Sequence, residues 1–526
     1  MRRAGPLLGG IFHLVRGVHV GFVLAREGGL ALIDPVELPP HLRLALKVGR
    51  SLEKRGVARD AGASPLERAM TRLGPSYVKF GQFLATRPDI VGMAAARDLE
   101  RLQDRVPPFA QGVAIRCVEQ ELGKPISALF VSFSEPVAAA SIAQVHKAQV
   151  LDKDGTLRDL AVKVMRPGVR AQFARELQAM RFMARIVHAM LPDAERLRPR
   201  EVVETLARSV MMEMDLRLEA AAMSELAENT KGDDDFRVPR PEWEMTSRNV
   251  LSSEWIDGIR LSDRARIVAD GHDIKALGRS VIQSFLRQAI RDGFFHADMH
   301  PGNLFVDRNG CLTAVDFGIM GRLGMAERRF LAEILLGFIM RDYRRVAQVH
   351  FEAGYVPRHH SVDDFAQAIR AIGEPIHQRP ADEISMAKVL TLLFDVTALF
   401  DMSTRTELVM LQKTMVVVEG VARSLDPQLD MWTGAEPVVK SWIARNLGPI
   451  GRIEGAGRAA LALSDVIADI PDIAQRIRRI MVRLDEESSE EAQHLGTLVK
   501  AEKQRAIWST LAFWVIAIGV LILALK

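Results

Sequence analysis

Cysteine is scarce in this chain: Cys117 and Cys311 are the only two in 526 residues. They are far apart and have no ligand-like spacing, which excludes a disulfide framework and fits a reduced, cytosol-facing body. A dominant charge is missing too. The 70 basic and 66 acidic residues leave a net +4, so charge gives no sign of a nucleic-acid surface. Only three tyrosines are present, too few for a platform that stacks single-stranded bases, and no nucleic-acid partner is expected. Internal repeats and low-complexity tracts are also lacking. The first residues do not read as a signal peptide: His13, Arg16 and His19 interrupt the apolar run, and no convincing small-residue cleavage site follows. An amphipathic opening helix is expected there instead.

What is present begins with bulk. An apolar content of 48% supports full cores, and 526 residues predict several domains or one large two-lobed unit with extensions. One long uncharged run stands out, Ile507 to Leu525. At about 1.5 Å per residue it reaches roughly 28 Å, enough to cross a hydrocarbon core. Trp508 and Trp514 lie toward the near interface. Lys500, Lys503 and Arg505 precede the run and Lys526 alone follows it, which predicts a single span with the main body in the cytoplasm. The alternative is a buried helix or an oligomerising hairpin, but an uninterrupted terminal run rarely needs burial in protein.

Local patterns set the order of elements. Ser64-Pro65-Leu66-Glu67 predicts a capped helix start, and Gly74-Pro75-Ser76 a break before a second helix. Strands are expected near 130–133, 143–150, 160–164 and 250–256, with Asp152-Lys153-Asp154-Gly155 as a hairpin turn. Pro136 to Ile142 reads as a plain helix or turn leading into the second strand. A long helical region is expected over 167–230, another over 261–295, and nearly continuous helix after residue 318.

The densest chemistry lies at His296-Ala297-Asp298-Met299-His300-Pro301-Gly302-Asn303, followed by Val315-Asp316-Phe317-Gly318. Apolar runs at 304–306 and 312–315 flank an Asn309-Gly310 turn, so a hairpin would bring Asp298, Asn303 and Asp316 to one mouth. Kinase-type phosphoryl transfer uses that order: an Asp that orients the nucleophile, an Asn on one Mg²⁺ and a DFG Asp on the other. Lys163, in the strand Ala161-Val162-Lys163-Val164, is placed to hold phosphates as a point charge. Its carboxylate partner is best sought at Glu219, with Glu204, Glu213 and Glu225 left open by spacing alone. Alanines stand where a glycine-rich phosphate loop would be, at 138–140, and their Cβ atoms restrict close backbone approach. No long activation segment follows Gly318, which argues against a docking platform for a peptide. A metallohydrolase reading of His296, Asp298 and His300 is the distant alternative. No second histidine cluster supplies further ligands, and His359-His360 lies in an exposed-looking turn.

These residues together resemble the UbiB family of atypical kinase-like proteins, also called aarF-domain or ubiquinone-biosynthesis kinases. Lys79-Phe80-Gly81-Gln82 is similar to the family's KxGQ motif, and Ala138, Ala139, Ala140 and Ser141 to its alanine-rich loop. Glu213-Met214-Asp215 is similar to its ExD motif, and Lys163, Glu219, Asp298, Asn303 and Asp316 to its nucleotide, catalytic-loop and DFG positions. Many relatives have proline where Met299 stands, and some bacterial members have two spans where this chain has one. The resemblance covers roughly residues 60–440. It implies an α+β, protein-kinase-like two-lobed fold with an N-terminal helical extension, a mostly helical C-lobe and a C-terminal transmembrane helix. The implied layout is an N-terminal segment (1–60), a helical KxGQ extension (61–135), an N-lobe with an insertion (136–260), a C-lobe (261–440), a helical juxtamembrane region (441–505) and the span (507–525). Also implied are ATP and Mg²⁺ as cofactors. Ala138 to Ser141, Val145, Lys163 and Glu219 would bind ATP, Asn303 and Asp316 the metal, and Asp298 would be catalytic. Lys79, Gly81, Gln82, Glu213 and Asp215 would be regulatory. The expected location is the bacterial inner membrane, in a role supporting ubiquinone synthesis. The expected partners are the lipid bilayer and polyprenylated quinone precursors or the enzymes that modify them, with a homodimer left open. A non-catalytic, nucleotide-sensing scaffold is the alternative function.

Overall fold

A computed structural model describes residues 19–32, 64–85, 107–140, 142–190, 199–377, 399–402 and 406–447, with scattered positions elsewhere. The helical entry follows the sequence pattern. Helix α1 (Pro65–Leu73) opens on a reciprocal cap, in which the Glu67 amide donates to Ser64 Oγ and the Ser64 amide donates to the Glu67 carboxylate, both at 3.2 Å. Gly74, at φ 102°, ends it, and α2 (Pro75–Ala85) starts at once. Both helices bury one face in a cluster that includes Leu66, Met70, Tyr77, Val78 and Leu84.

Helix α3 (Gln111–Leu122) leads to a four-stranded antiparallel sheet, β1 (Ser132–Ala139), β2 (Ala143–Leu151), β3 (Leu157–Met165) and β5 (Val250–Glu254), in the order β1-β2-β3-β5. Side chains alternate along a strand. Leu160, Val162 and Val164 of β3 therefore pack against Ala114 and Val118 of α3, while Lys163 takes the opposite face. Cross-strand register puts Ala138 opposite Val145, Val145 opposite Lys163, and Lys163 opposite Leu251, so these four form one row across that face.

The helix or turn expected over Pro136 to Ile142 is corrected by the strand pairing as far as Ala139. Pro136 to Ala139 belong to β1, with irregular register on both sides of Pro136. β1 is an edge strand, where a residue without an N–H leaves no ladder bond unmade, and the bulges absorb the mismatch. The long helical region expected over 167–230 consists of α4 (Val169–Met190), α5 (Pro199–Glu213) and α6 (Leu216–Asn229). Asp215 makes the last break by capping α6, accepting a hydrogen bond from the Arg217 amide.

After β4 (Phe236–Arg237), β6 (Ile259–Arg260) and α7 (Arg264–Ala269), helix α8 (Ile274–Leu286) runs into a π-helical turn, Arg287–Asp292, that Gly293 closes at φ 70°. Strand β7 (Phe294–His296) then enters the chemical segment, and β8 (Leu304–Val306) and β9 (Leu312–Ala314) form the expected hairpin. The chain does not pass directly from the DFG sequence into helix. Met320–Arg322 first forms β10, antiparallel to β7. Gly321 lies opposite Phe295, and a Cβ on it would fall 2.1 Å from the fully buried Phe295 ring, so only glycine lets the two strands close. Helices α9 (Met325–Ile339), α10 (Tyr343–Glu352), α11 (Val362–His377) and α12 (Thr406–Leu425) follow. The span expected at 507–525 lies outside the described residues. Among the described residues no helix is long and apolar enough to cross a membrane.

Candidate functional site

The row of β3 side chains facing away from α3 ends in an ion triad. Lys163 Nζ donates to both Glu219 oxygens, at 2.7 and 3.0 Å, and lies 3.1 Å from Asp316 Oδ1. Glu219 sits in the first turn of α6, where the helix dipole favours an anion. The other carboxylates left open by the sequence are engaged elsewhere: Glu204 with Arg181, Glu213 with Lys79 and Glu225 with Arg322. Burial opposes the charge on Lys163, but Asp316 and Glu219 outweigh it and raise the ammonium above its ordinary pKa. Asp316 is held far below the usual carboxylate range, chiefly by Lys163 and to a lesser degree by Lys79. It adopts a left-handed backbone, φ 63°, with its side chain half exposed to the cleft.

Asp298 and Asn303 lie in the loop between β7 and β8. Asn303 Nδ2 donates to the Asp298 carbonyl at 3.1 Å and to its carboxylate at 3.3 Å. The Val315 amide donates to the Asn303 carbonyl at 2.8 Å, so the loop is tied to the residue before Asp316. His296 makes the same link from beneath. The Asp298 amide donates to its Nδ1 at 3.0 Å, and its Nε2 lies 3.2 Å from the Val315 carbonyl, which fixes the Nε2–H tautomer. With both ring nitrogens engaged, His296 has no lone pair left for a metal. The three-ligand metallohydrolase arrangement therefore loses a member.

Burial lowers the pKa of His296, His146 and His350, each of which is hydrogen-bonded as a neutral ring. The unfolded chain binds more protons than the folded one below about pH 6.5, so stability is intact above that value and falls as pH drops. The unfolding midpoint should accordingly be lower at pH 5.5 than at pH 7.5, each histidine contributing at most about 1.4 kcal/mol per pH unit. Equal midpoints would show that these rings are not held neutral.

The remaining sequence candidates separate by position. Lys79, on α2, forms an ion pair with Glu213 at 2.8 Å and is near enough to act on Asp316. Gly81 is buried against Leu99 and Leu102, and Gln82 donates to the Leu102 carbonyl at 3.3 Å. Asp215 caps α6 and pairs with Arg217 and Arg248, fixing the start of the helix that carries Glu219. Ala138 and Ala139 end β1, the Ala140 amide donates to the Ala143 carbonyl, and Val145 adjoins Lys163 in the sheet. Ser141 lies outside the described residues.

Three supporting residues carry no signal in the sequence. Leu251 flanks Lys163 on β5, Gln288 accepts from the His296 amide at 3.1 Å, and Thr414 of α12 places its hydroxyl 3.0 Å from the Ala297 carbonyl. None lies in a local motif, and only the pairing of distant elements brings them in. The donor set at the mouth, an amide side chain and an ionised carboxylate, suits a hard divalent cation such as Mg²⁺, which prefers oxygen ligands.

Residues 101–350 match the ABC1 atypical kinase-like domain, and residues 369–430 match the UbiB helical domain. The chain is 39% identical over 452 residues to the probable protein kinase UbiB of Aliivibrio fischeri (strain MJ11), covering 85% of this chain and 82% of that protein. It is 38% identical over 459 residues to the protein of the same name from Tolumonas auensis, covering 86% and 84%. Among solved structures, the complex of Rv3197 with erythromycin from Mycobacterium tuberculosis shares the fold, with a TM-score of 0.50 and 24% identity over 63% of this chain and 83% of that one.

Proposed function

The chain belongs to the UbiB family of atypical kinase-like proteins, and on that premise we propose that it is a membrane-anchored, ATP-dependent kinase-like ATPase supporting ubiquinone synthesis. The observation that carries this reading is Lys163 bridging Glu219 and Asp316, with the Asp298–Asn303 loop hydrogen-bonded to Val315, the residue before Asp316. Lys163 holds the phosphates and Glu219 keeps it aimed when the cleft is empty. Asp298 orients the attacking hydroxyl or water and accepts its proton. Asn303 and Asp316 would hold Mg²⁺, which supplies neutralisation of charge on the transferring group.

Two features support an acceptor other than a peptide. Only a short strand separates Gly318 from α9, leaving no room for a long activation segment. The Lys79–Glu213 pair also stands beside Asp316, as a gate would. An apolar span at 507–525 would hold the site near lipid-soluble, polyprenylated quinone precursors or the enzymes that modify them.

A second reading, a nucleotide-sensing scaffold, is favoured by the alanines that end β1, whose Cβ atoms keep phosphate from the backbone more than glycine would. Single-turnover phosphate release from the purified full chain separates the two. About one phosphate per chain on mixing with Mg²⁺-ATP is expected. Nucleotide binding without phosphate release would replace the ATPase by the scaffold.

A further inference from the structure

We propose that His359, His360 and Asp401 form a binding site for a divalent transition-metal ion of the zinc type, fastening the turn between α10 and α11 to the chain that enters α12. Both imidazoles aim the same nitrogen at one oxygen: Nε2 of His360 lies 3.3 Å and Nε2 of His359 3.8 Å from Asp401 Oδ2. All three ligand atoms fall within 4.8 Å of one another. Adjacent residues in a strand point to opposite faces, so this convergence is a product of the turn, in which the His360 amide donates to the Pro357 carbonyl. The two rings consequently stand with centroids 4.1 Å apart.

The distances suit the ion. Zinc bonds of 2.0–2.1 Å at tetrahedral angles put neighbouring ligand atoms roughly 3.3 Å apart. His360 and Asp401 already have that spacing, and His359 lies about half an ångström farther than that from the Asp401 oxygen. Two imidazole nitrogens and one carboxylate oxygen favour zinc-like cations over Mg²⁺ or Ca²⁺, which take oxygen. His360 is held in place from behind. Its ring packs 5.2 Å from Phe400, which in turn packs 4.9 Å from the buried Phe365. Asp401 follows Phe400 directly and holds a left-handed backbone at φ 48°. His359 and Asp401 keep about two-thirds of their side-chain surface exposed, so an ion can enter and water can fill its remaining positions. Without a cation, the second imidazole adds little, because a single exposed carboxylate gains little from either ring.

Farther along the chain, Thr414 of α12 meets the Ala297 carbonyl next to Asp298. The metal site does not depend on the phosphoryl-transfer reading and is tested apart from it. The full chain in detergent, stripped with a chelator, is titrated with Zn²⁺ against a chromogenic competitor in millimolar Mg²⁺. The expected result is about one tight Zn²⁺ per chain, with affinity reduced by roughly tenfold or more in His359→Gln and in Asp401→Asn. Asparagine tolerates the left-handed backbone, and His359 is exposed, so both variants keep the fold. His300→Gln should bind Zn²⁺ as the parent does. Unchanged affinity in the first two variants, loss confined to His300→Gln, or displacement by Mg²⁺ would each overturn the proposal.

Discussion

Asp316→Asn is expected to cut ATP turnover by at least about 10²–10³-fold while leaving the unfolding midpoint close to that of the parent. The two halves of this expectation have separate causes. Turnover depends on a carboxylate that stays ionised in the cleft, and Lys163 keeps Asp316 in that form. An amide can occupy the same space but carries no charge for the cation or the transferring group. Stability depends little on Asp316, because its side chain is half exposed and Lys163 retains both oxygens of Glu219. Backbone strain does not intervene, since asparagine accepts φ near 63° as readily as aspartate. Phosphate release and thermal unfolding measured on the same preparation check both halves. Turnover equal to the parent's would remove Asp316 from the reaction.

Features that depend on a few neighbouring residues are legible in the sequence itself. The Ser64 cap, the 152–155 turn and the hairpin between Asn303 and Asp316 are each set within about ten residues, and each stands where the pattern puts it. The alternation in β3 likewise shows which face carries Lys163. Features that depend on partners far away in sequence are not legible in this way. Met320-Gly321-Arg322 has little strand character of its own. It becomes β10 because Gly321 admits Phe295, a contact no local propensity encodes. Pro136 argues locally for a turn, and only its place on the outer edge of the sheet makes it part of a strand.

The same division runs through the site. Asp298, Asn303 and Asp316 share a segment of the chain, so spacing identifies them together. The choice among Glu204, Glu213, Glu219 and Glu225 needed the packing of α6 against β5, which brings Glu219 alone to Lys163. Asp215 carries the opposite lesson. Its motif implies a regulatory role, and its contacts are a helix cap that sets where Glu219 stands and ion pairs to Arg217 and Arg248. His359 and His360 read as an exposed turn until Asp401, in another segment, closes on them.

Lys163→Met is expected to abolish nucleotide-dependent turnover and to destabilise the empty protein by about 3 kcal/mol at pH 7. The cost falls on Glu219. Its side chain is 9% exposed, against 50% for Asp316, so water can solvate the second carboxylate but not the first. Burial raises the Glu219 pKa, and in the parent Lys163 pulls against that rise. Removing the ammonium leaves only the Phe317 backbone hydrogen bond to oppose burial. A folded-state pKa above the unfolded value gives a variant that is most stable in acid and loses stability as pH rises, so its deficit against the parent should widen between pH 5 and pH 7. Adding Glu219→Gln removes the buried charge and should restore most of the lost stability without restoring turnover. Denaturant unfolding of the two single variants, the double variant and the parent at both pH values isolates this coupling. If Lys163→Met matched the parent at pH 7, or if Glu219→Gln brought no recovery, the ion pair would not be what orients the lysine, and the geometry of the empty cleft would need another cause.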